Sequence, residues 1–312
     1  FFFYFFYSYF YFSIFFNIIT NYTYYLISKG LLLKLLIVTL IFNYLMKKVV
    51  LITGGSSGIG KSVGEFLSEK GFVVYGTSRN PQKIENHPFK LVALDVNSTE
   101  SITKAINEVI QIEGAIDILI NNAGMGITGP IEETSTNEMR KVFDTNFFGA
   151  IDVMKAVLPQ MRAQKSGLII NVTSIAGYMG LPFRGIYSAT KGALELVTEA
   201  VRMEVKSFGI KVTNVAPGDF ATNIASGRYH TPVFENSAYK KVYQENLDLM
   251  DSHVSDGADP IQMANAIYSI ILTSEPKIHY KVGDFMQKFS IILKRILPDA
   301  TYEKLLMNHY KL

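Results

Sequence analysis

Thr53-Gly54-Gly55-Ser56-Ser57-Gly58-Ile59-Gly60 follows an apolar run over residues 49–52 and leads into a helix-like segment that ends near Lys70. A strand, a glycine turn and a helix in that order make a phosphate site. Glycine permits positive φ and close approach of a pyrophosphate, and the helix N-terminus offers unpaired N–H donors at the positive end of its dipole. The first inference is a bound nucleotide. The spacing departs from the G-x-G-x-x-G fingerprint, because Val63 stands where a third glycine would fall. The loop therefore needs support from the rest of the chain.

Outward from the loop, short apolar runs alternate with longer helical patterns. Residues 49–53, 72–77, 91–94, 116–121, 168–173 and 211–216 are nearly continuous in Val, Ile and Leu, as strands buried on both faces are. Amphipathic stretches lie at 98–113, 136–163 and 186–208. The alternation predicts an α/β fold, a doubly wound Rossmann-type parallel sheet with helices on both faces. Ligands in such sheets bind outside the carboxyl ends of the strands, where the strand order reverses. Residues 226–256 are polar and aromatic without a clean period, which predicts a mobile loop or short helices over a site. Asp259-Pro260 opens an amphipathic helix over 261–273 that Pro276 ends, and 285–297 and 301–310 read as two further helices separated by Pro298.

At 312 residues the chain can bury one sizeable core, or at most two domains. A net charge of +3 gives no dense basic face, so nucleic acid is not a favoured partner. The absence of cysteine excludes disulfides and thiolate chemistry and fits a reducing compartment, which makes the cytoplasm the expected location. His87, His230, His253, His279 and His309 have no paired spacing and no clustered carboxylates, so no metal site is expected.

Residues 1–45 differ in composition, holding 10 of the 22 phenylalanines and 8 of the 18 tyrosines but no Asp, Glu, Arg, Pro or Ala. A membrane anchor is one reading, with 31–45 an apolar stretch that is short for a span and carries Lys34 and Asn43. A signal peptide is another, but the basic leading region and the small-residue cleavage site are missing. A third is upstream sequence translated in frame, since the first Met is Met46 and residues 1–45 favour amino acids of AT-rich codons. That last reading explains more and predicts a protein of 267 residues starting at Met46, with a formal charge of +1.

Tyr187 and Lys191 are one helical turn apart and share a face. An ammonium beside a phenol favours the phenolate, which suits acid/base work near neutral pH. Spacing alone proves little, because Tyr25/Lys29 and Tyr44/Lys48 repeat it. Context decides: Asn171-Val172-Thr173-Ser174 ends one predicted strand, Asn121-Asn122-Ala123-Gly124 another, and Pro217-Gly218 a third, with Thr222 following. From Lys47 to about Thr273 the chain resembles the short-chain dehydrogenase/reductase family. The resemblance rests on Thr53-Gly-x-x-x-Gly58-x-Gly60, Asp95, Asn122-Ala123-Gly124, Asn146, Ser174, Tyr187-x-x-x-Lys191 and Pro217-Gly218, in that order.

The resemblance implies a catalytic set of Asn146, Ser174, Tyr187 and Lys191. Tyr187 would pass a proton to a carbonyl oxygen, or take it from an alcohol, as hydride moves to or from a nicotinamide. Lys191 would support the tyrosine and hydrogen-bond the nicotinamide ribose. Ser174 would donate to the substrate oxygen, and Asn146 would hold a water in the proton relay. For the cofactor, the resemblance implies contacts from Gly54, Ser56, Ser57, Gly58, Ile59 and Gly60, from Asp95 and Val96 at the adenine, and from Asn122, Ala123 and Gly124. It adds Tyr187, Lys191, Pro217 and Gly218, and Thr222 at the carboxamide. The nucleotide-binding catalytic domain would span 46–275 and a helical extension 276–312.

Cofactor choice rests on the end of the second strand. An acidic residue near the end of the second strand accepts from the ribose 2′-hydroxyl of NAD and repels a 2′-phosphate. This chain has Thr77-Ser78-Arg79 there, and a guanidinium pairs well with phosphate, so NADP(H) is expected. Met125, Ile127, Tyr178, Met179, Leu181, Phe183, Phe220 and Phe234 predict an apolar pocket for a lipophilic carbonyl or alcohol. The stretches Thr77-Ser78-Arg79-Asn80-Pro81 and Gly180-Leu181-Pro182-Phe183 resemble the branch containing steroid and retinol dehydrogenases. The family also implies a homo-oligomer. The competing class is a nucleotide-binding regulatory protein on the same fold, which turnover and its loss in Tyr187→Phe would exclude.

Overall fold

The computed structural model describes residues 48–220, 227–255 and 257–312. The segment 1–45 and Thr222 lie outside the described residues. Seven parallel strands form one sheet: β1 (Val49–Ile52), β2 (Val73–Ser78), β3 (Lys90–Ala93), β4 (Ile118–Asn121), β6 (Gly167–Val172), β7 (Ile210–Pro217) and β9 (His279–Val282), in the order β3-β2-β1-β4-β6-β7-β9. Short strands β5 (Ile127–Thr128) and β8 (Tyr229–His230) pair separately. The helices are α1 (Gly58–Glu69), α2 (Thr99–Glu113), α3 (Thr136–Phe143), α4 (Gly149–Gln164), α5 (Gly185–Glu204), α6 (Lys240–Ser255), α7 (Ile261–Leu272), α8 (Phe285–Ile296) and α9 (Asp299–His309).

The period of two along each strand divides the core. Leu51, Leu119, Ile169 and Val212 point to one face, where they meet Ile102 and Ile106 of α2, Val153 and Val157 of α4, and Leu194 of α5. Ile52, Ile120, Ile170 and Val215 point to the other, against Val63 and Leu67 of α1 and Met263, Ile267 and Ile270 of α7. Both faces of the sheet are thus covered, which is why its strands read as unbroken apolar runs. The chain winds outward from β1 through β2 to β3, then returns to place β4 on the other side of β1. That reversal opens a crevice at the carboxyl ends of β1 and β4.

Three elements depart from the sequence expectation. The stretch 136–163 is two helices joined by a π-helical turn over Asp144–Phe148, a device that widens one turn and often marks a functional site. Residues 240–255 form the continuous helix α6, held by Tyr243, whose hydroxyl donates to the Thr128 carbonyl at 2.9 Å. Residues 279–282 form a strand at the sheet edge, pairing Asn214 with His279 through Pro217 with Val282. Among the described residues no helix is long and apolar enough to cross a membrane, and no group of three His, Asp or Glu side chains could hold a metal.

Candidate active site

The glycine loop folds back between β1 and α1 because its backbone has to. Gly54 sits at φ 64°, in the left-handed region, and a Cβ on Gly60 would lie 2.4 Å from the Gly54 carbonyl oxygen. Thr53, buried at the end of β1, ties this loop to the next one. Its hydroxyl accepts from the Asn122 and Ala123 N–H groups at 2.9 and 3.0 Å, and its carbonyl accepts from Asn122 Nδ2 at 3.0 Å. Gly54 N–H in turn donates to Thr77 Oγ1 at 3.2 Å, joining the loop to the end of β2.

These loops enclose a cleft of about 460 Å³. Of the expected cofactor residues it is lined by Gly54, Ser56, Ser57, Gly58, Ile59, Arg79, Asp95, Val96, Asn122, Ala123 and Gly124. Gly60 lies beneath it as the close-packing position. The Asp95 carboxylate accepts from the Asn97 N–H at 3.0 Å, and its own N–H donates to Ser101 Oγ at 2.9 Å, so the loop after β3 is fixed. Arg79 is exposed at the rim beside Ser78.

A smaller recess of about 70 Å³ adjoins the cleft, with Ile59 lining both. Ser174, Tyr187, Pro217 and Gly218 converge there with Gly126, Ile127, Arg184, Asp219, Phe220 and Arg228. Ser174 is buried at the end of β6, and its Oγ accepts from the Ala176 N–H at 3.1 Å, which leaves the hydroxyl hydrogen free to donate elsewhere. Tyr187 stands on the first turn of α5, with the Arg184 guanidinium 5.6 Å and Lys191 Nζ 5.9 Å from its ring centroid.

Lys191 and Asn146 line neither space but back both. Lys191 is buried, and its Nζ donates to the Val172 carbonyl at 3.0 Å. Asn146, in the π turn, accepts from the Met125 N–H at 2.8 Å and donates through Nδ2 to the Met125 carbonyl at 2.9 Å and Thr190 Oγ1 at 3.2 Å. The two meet behind Gly124, where a Cβ would lie 3.2 Å from Asn146 Oδ1 and 3.5 Å from Lys191 Nζ. Thr53 and Thr190 were inside the quoted motifs or beside them, but nothing in their type marks them as supports.

The expected apolar pocket is corrected in part. Ile127 and Phe220 line the recess, whereas Met179 and Leu181 pack beneath α8 and α9 with Ile291 and Tyr302. Tyr178 turns away into a buried polar cluster. Its hydroxyl donates to Glu195 Oε2 at 2.9 Å, and burial together with that carboxylate pushes its ionisation above the ordinary tyrosine range. The Thr173 hydroxyl, Asn214 Nδ2 (3.1 Å) and His279 Nδ1 (2.7 Å) also contact the Glu195 carboxylate. Sequence reasoning missed this cluster, since its members are scattered over more than a hundred residues.

Residues 48–232 match the family described as short chain dehydrogenase. A 3-ketodihydrosphingosine reductase of Bacteroides thetaiotaomicron is 40% identical over 254 residues, which are 81% of this chain and 94% of that protein. The uncharacterized oxidoreductase YusZ of Bacillus subtilis is 32% identical over 275 residues, covering 83% and 97%. The crystal structure of a short-chain dehydrogenase from Streptomyces avermitilis superimposes with a TM-score of 0.73 at 31% identity, covering 85% of this chain and 97% of that one. The matched span runs through the strands and loops that build the cleft and the recess: the chain belongs to the short-chain dehydrogenase/reductase family of oxidoreductases.

Proposed function

We propose that the protein interconverts a carbonyl and an alcohol on a lipophilic substrate, using NADP(H). The observation that carries this reading is the convergence of Ser174 and Tyr187 on a recess joined to the nucleotide cleft through Ile59. The cleft fits a dinucleotide, because Gly54, Ser56, Ser57, Gly58 and Ile59 line it at the N-terminus of α1 and Arg79 stands at the rim as a partner for a 2′-phosphate. When bound, NADP(H) supplies or accepts the hydride at its nicotinamide.

Gly54, Ser56, Ser57, Gly58 and Ile59 would hold the pyrophosphate at the N-terminus of α1. Asp95 and Val96 would border the adenine, Asn122, Ala123 and Gly124 the middle of the cofactor, and Pro217, Gly218 and Thr222 the nicotinamide. Lys191 would reach the ribose. In reduction the Tyr187 hydroxyl gives its proton to the carbonyl oxygen while Ser174 Oγ donates a hydrogen bond to the same oxygen, stabilising the charge that develops there. The Lys191 ammonium beside the ring stabilises the phenolate left behind. In oxidation Tyr187 takes the proton back. Asn146, anchored to Met125 and Thr190, holds the loop after β4 against α5 and positions the proton relay.

Ile59, Ile127 and Phe220 supply apolar walls for the substrate, and the relative named 3-ketodihydrosphingosine reductase makes a long-chain ketone of that kind the first to try. Leu196 and Met203, seven residues apart on the exposed face of α5, are the surface a second copy of the chain would cover.

The test is NADPH consumption with 3-ketodihydrosphingosine and a panel of lipophilic ketones, beside Tyr187→Phe. Turnover should fall by roughly 10²–10⁴-fold in the variant, the usual worth of a general acid, with NADPH binding retained. Binding without turnover across the panel would instead favour a regulatory nucleotide-binding protein.

A further inference from the structure

Seven of the sixteen large apolar side chains that the described residues expose lie between 285 and 312. Four positions of α8 account for the pattern. Phe285, Phe289, Ile292 and Ile296 fall within about 60° of arc at roughly 100° per residue. Phe285, Ile292 and Ile296 are 73%, 50% and 67% exposed, and the Phe285 and Phe289 rings stack with centroids 5.7 Å apart. The opposite face is spoken for: Ile291 is buried against Met179 and Tyr302, and Gln287 Nε2 donates to the Asp219 carboxylate at 2.9 Å. Lys288 and Arg295, seven residues apart, run along one edge of the exposed stripe.

Charge says what covers it. Residues 277–312 carry seven Lys and Arg against three Asp and Glu, whereas residues 48–276 carry twenty against twenty-four. A two-fold dimer through the stripe would set these basic edges against each other, since such an interface uses the same patch twice. The apolar segment 1–45 carries Lys29 and Lys34 and no acid, so it too offers no complementary charge. Anionic lipid headgroups do. A helix of 12 residues is about 18 Å long, too short for a span of about 30 Å, and lies in the interface plane.

We propose that α8 seats the protein on an anionic lipid surface, with the Phe285, Phe289, Ile292 and Ile296 stripe entering the interface and Lys288 and Arg295 meeting the headgroups. The inner face of α8 touches Asp219, which lines the recess beside Tyr187. Seated this way, the recess lies near the lipid, and a lipophilic ketone enters with little exposure to water. This last consequence rests on the function proposed above; the docking itself does not.

The chain has no tryptophan, so Phe285→Trp in the full chain places one reporter on the stripe. Vesicles of phosphatidylcholine with phosphatidylserine should shift its emission to the blue, and brominated lipid should quench it. Salt or omission of phosphatidylserine should weaken both effects. Replacing Phe285, Ile292 and Ile296 together by Ser should lower turnover of a vesicle-borne ketone by about tenfold or more, for loss of that much buried apolar surface, and leave turnover of a short water-soluble ketone unchanged. An indole unmoved by anionic vesicles overturns the proposal, even if the chain sediments with them through residues 1–45. So does an indole already blue-shifted without lipid, whether a second copy or residues 1–45 cover it. Failure of every ketone to react would sink the function while leaving the indole result readable.

Discussion

Arg79 shows how much one side chain can decide. Thr77, the last buried residue of β2, lies beneath the glycine loop, Ser78 accepts from the Asn80 N–H at 3.3 Å, and Arg79 is left exposed at the rim of the cleft with no acidic residue beside it in sequence. A carboxylate there would accept from a ribose 2′-hydroxyl and repel a 2′-phosphate. Arg79→Asp should therefore lower the ratio of kcat/KM for NADPH to that for NADH by roughly 10- to 100-fold, the size of one charge-assisted hydrogen bond. Assaying both cofactors on the variant checks this, and an unchanged ratio would make Arg79 a solvated charge. Arg79 was legible because it follows a strand, as do Ser174 after β6 and Asn122 to Gly124 after β4. The residues that hold these in place were not, because a buried threonine such as Thr53 differs from an ordinary core threonine only in its partners.

On α5, residues 187, 190, 191 and 195 follow the helical period, so one face carries Tyr187, Thr190, Lys191 and Glu195 in succession. The first and third were readable from their spacing. Glu195 was not, because its partners come from the segment after β6, from β7 and from β9, and no local pattern announces them. Its buried carboxylate takes the hydroxyls of Thr173 and Tyr178, the amide of Asn214 and the ring of His279, while the outer ring nitrogen of His279 meets the more exposed Glu199 at 3.0 Å. Thr173 immediately precedes Ser174, so the cluster braces the element that presents Ser174. Glu195→Ala strands several buried donors at once and should cost about 3 kcal/mol or more, with a fall in kcat. Glu199→Ala, at the solvent edge, should cost less than about 1 kcal/mol. Thermal melts of both variants test the difference, and equal losses would contradict the account. The strand β9 escaped notice for a related reason: its His279-Tyr280-Lys281-Val282 is half-buried throughout and has none of the continuous Val, Ile and Leu that mark the inner strands.

Across the molecule, phenols tie the C-terminal helices to one another and to the loops around the recess. Tyr243 of α6 donates to the Thr128 carbonyl of β5, Tyr302 of α9 packs beside Met179, and Tyr310 is buried where Asn246 of α6 donates to its carbonyl at 2.9 Å. Burial is the first cause in each case, and it pushes the ionisation of Tyr178, Tyr243, Tyr302 and Tyr310 above the ordinary value near 10. The sign follows from linkage. Below pH about 10 these groups are neutral in both folded and unfolded chains, so their contribution to stability is fully present. Above it the unfolded chain loses protons that the folded chain keeps, and stability falls as pH rises toward the folded values. Denaturant midpoints should therefore hold steady from neutral pH to about pH 9 and drop progressively beyond about pH 10. Tyr302→Phe, which removes one such phenol and keeps its ring, should flatten the alkaline limb. A midpoint that stays level through that range, or a Tyr302→Phe profile as steep as the parent's, would mean that these phenols ionise while the protein is folded.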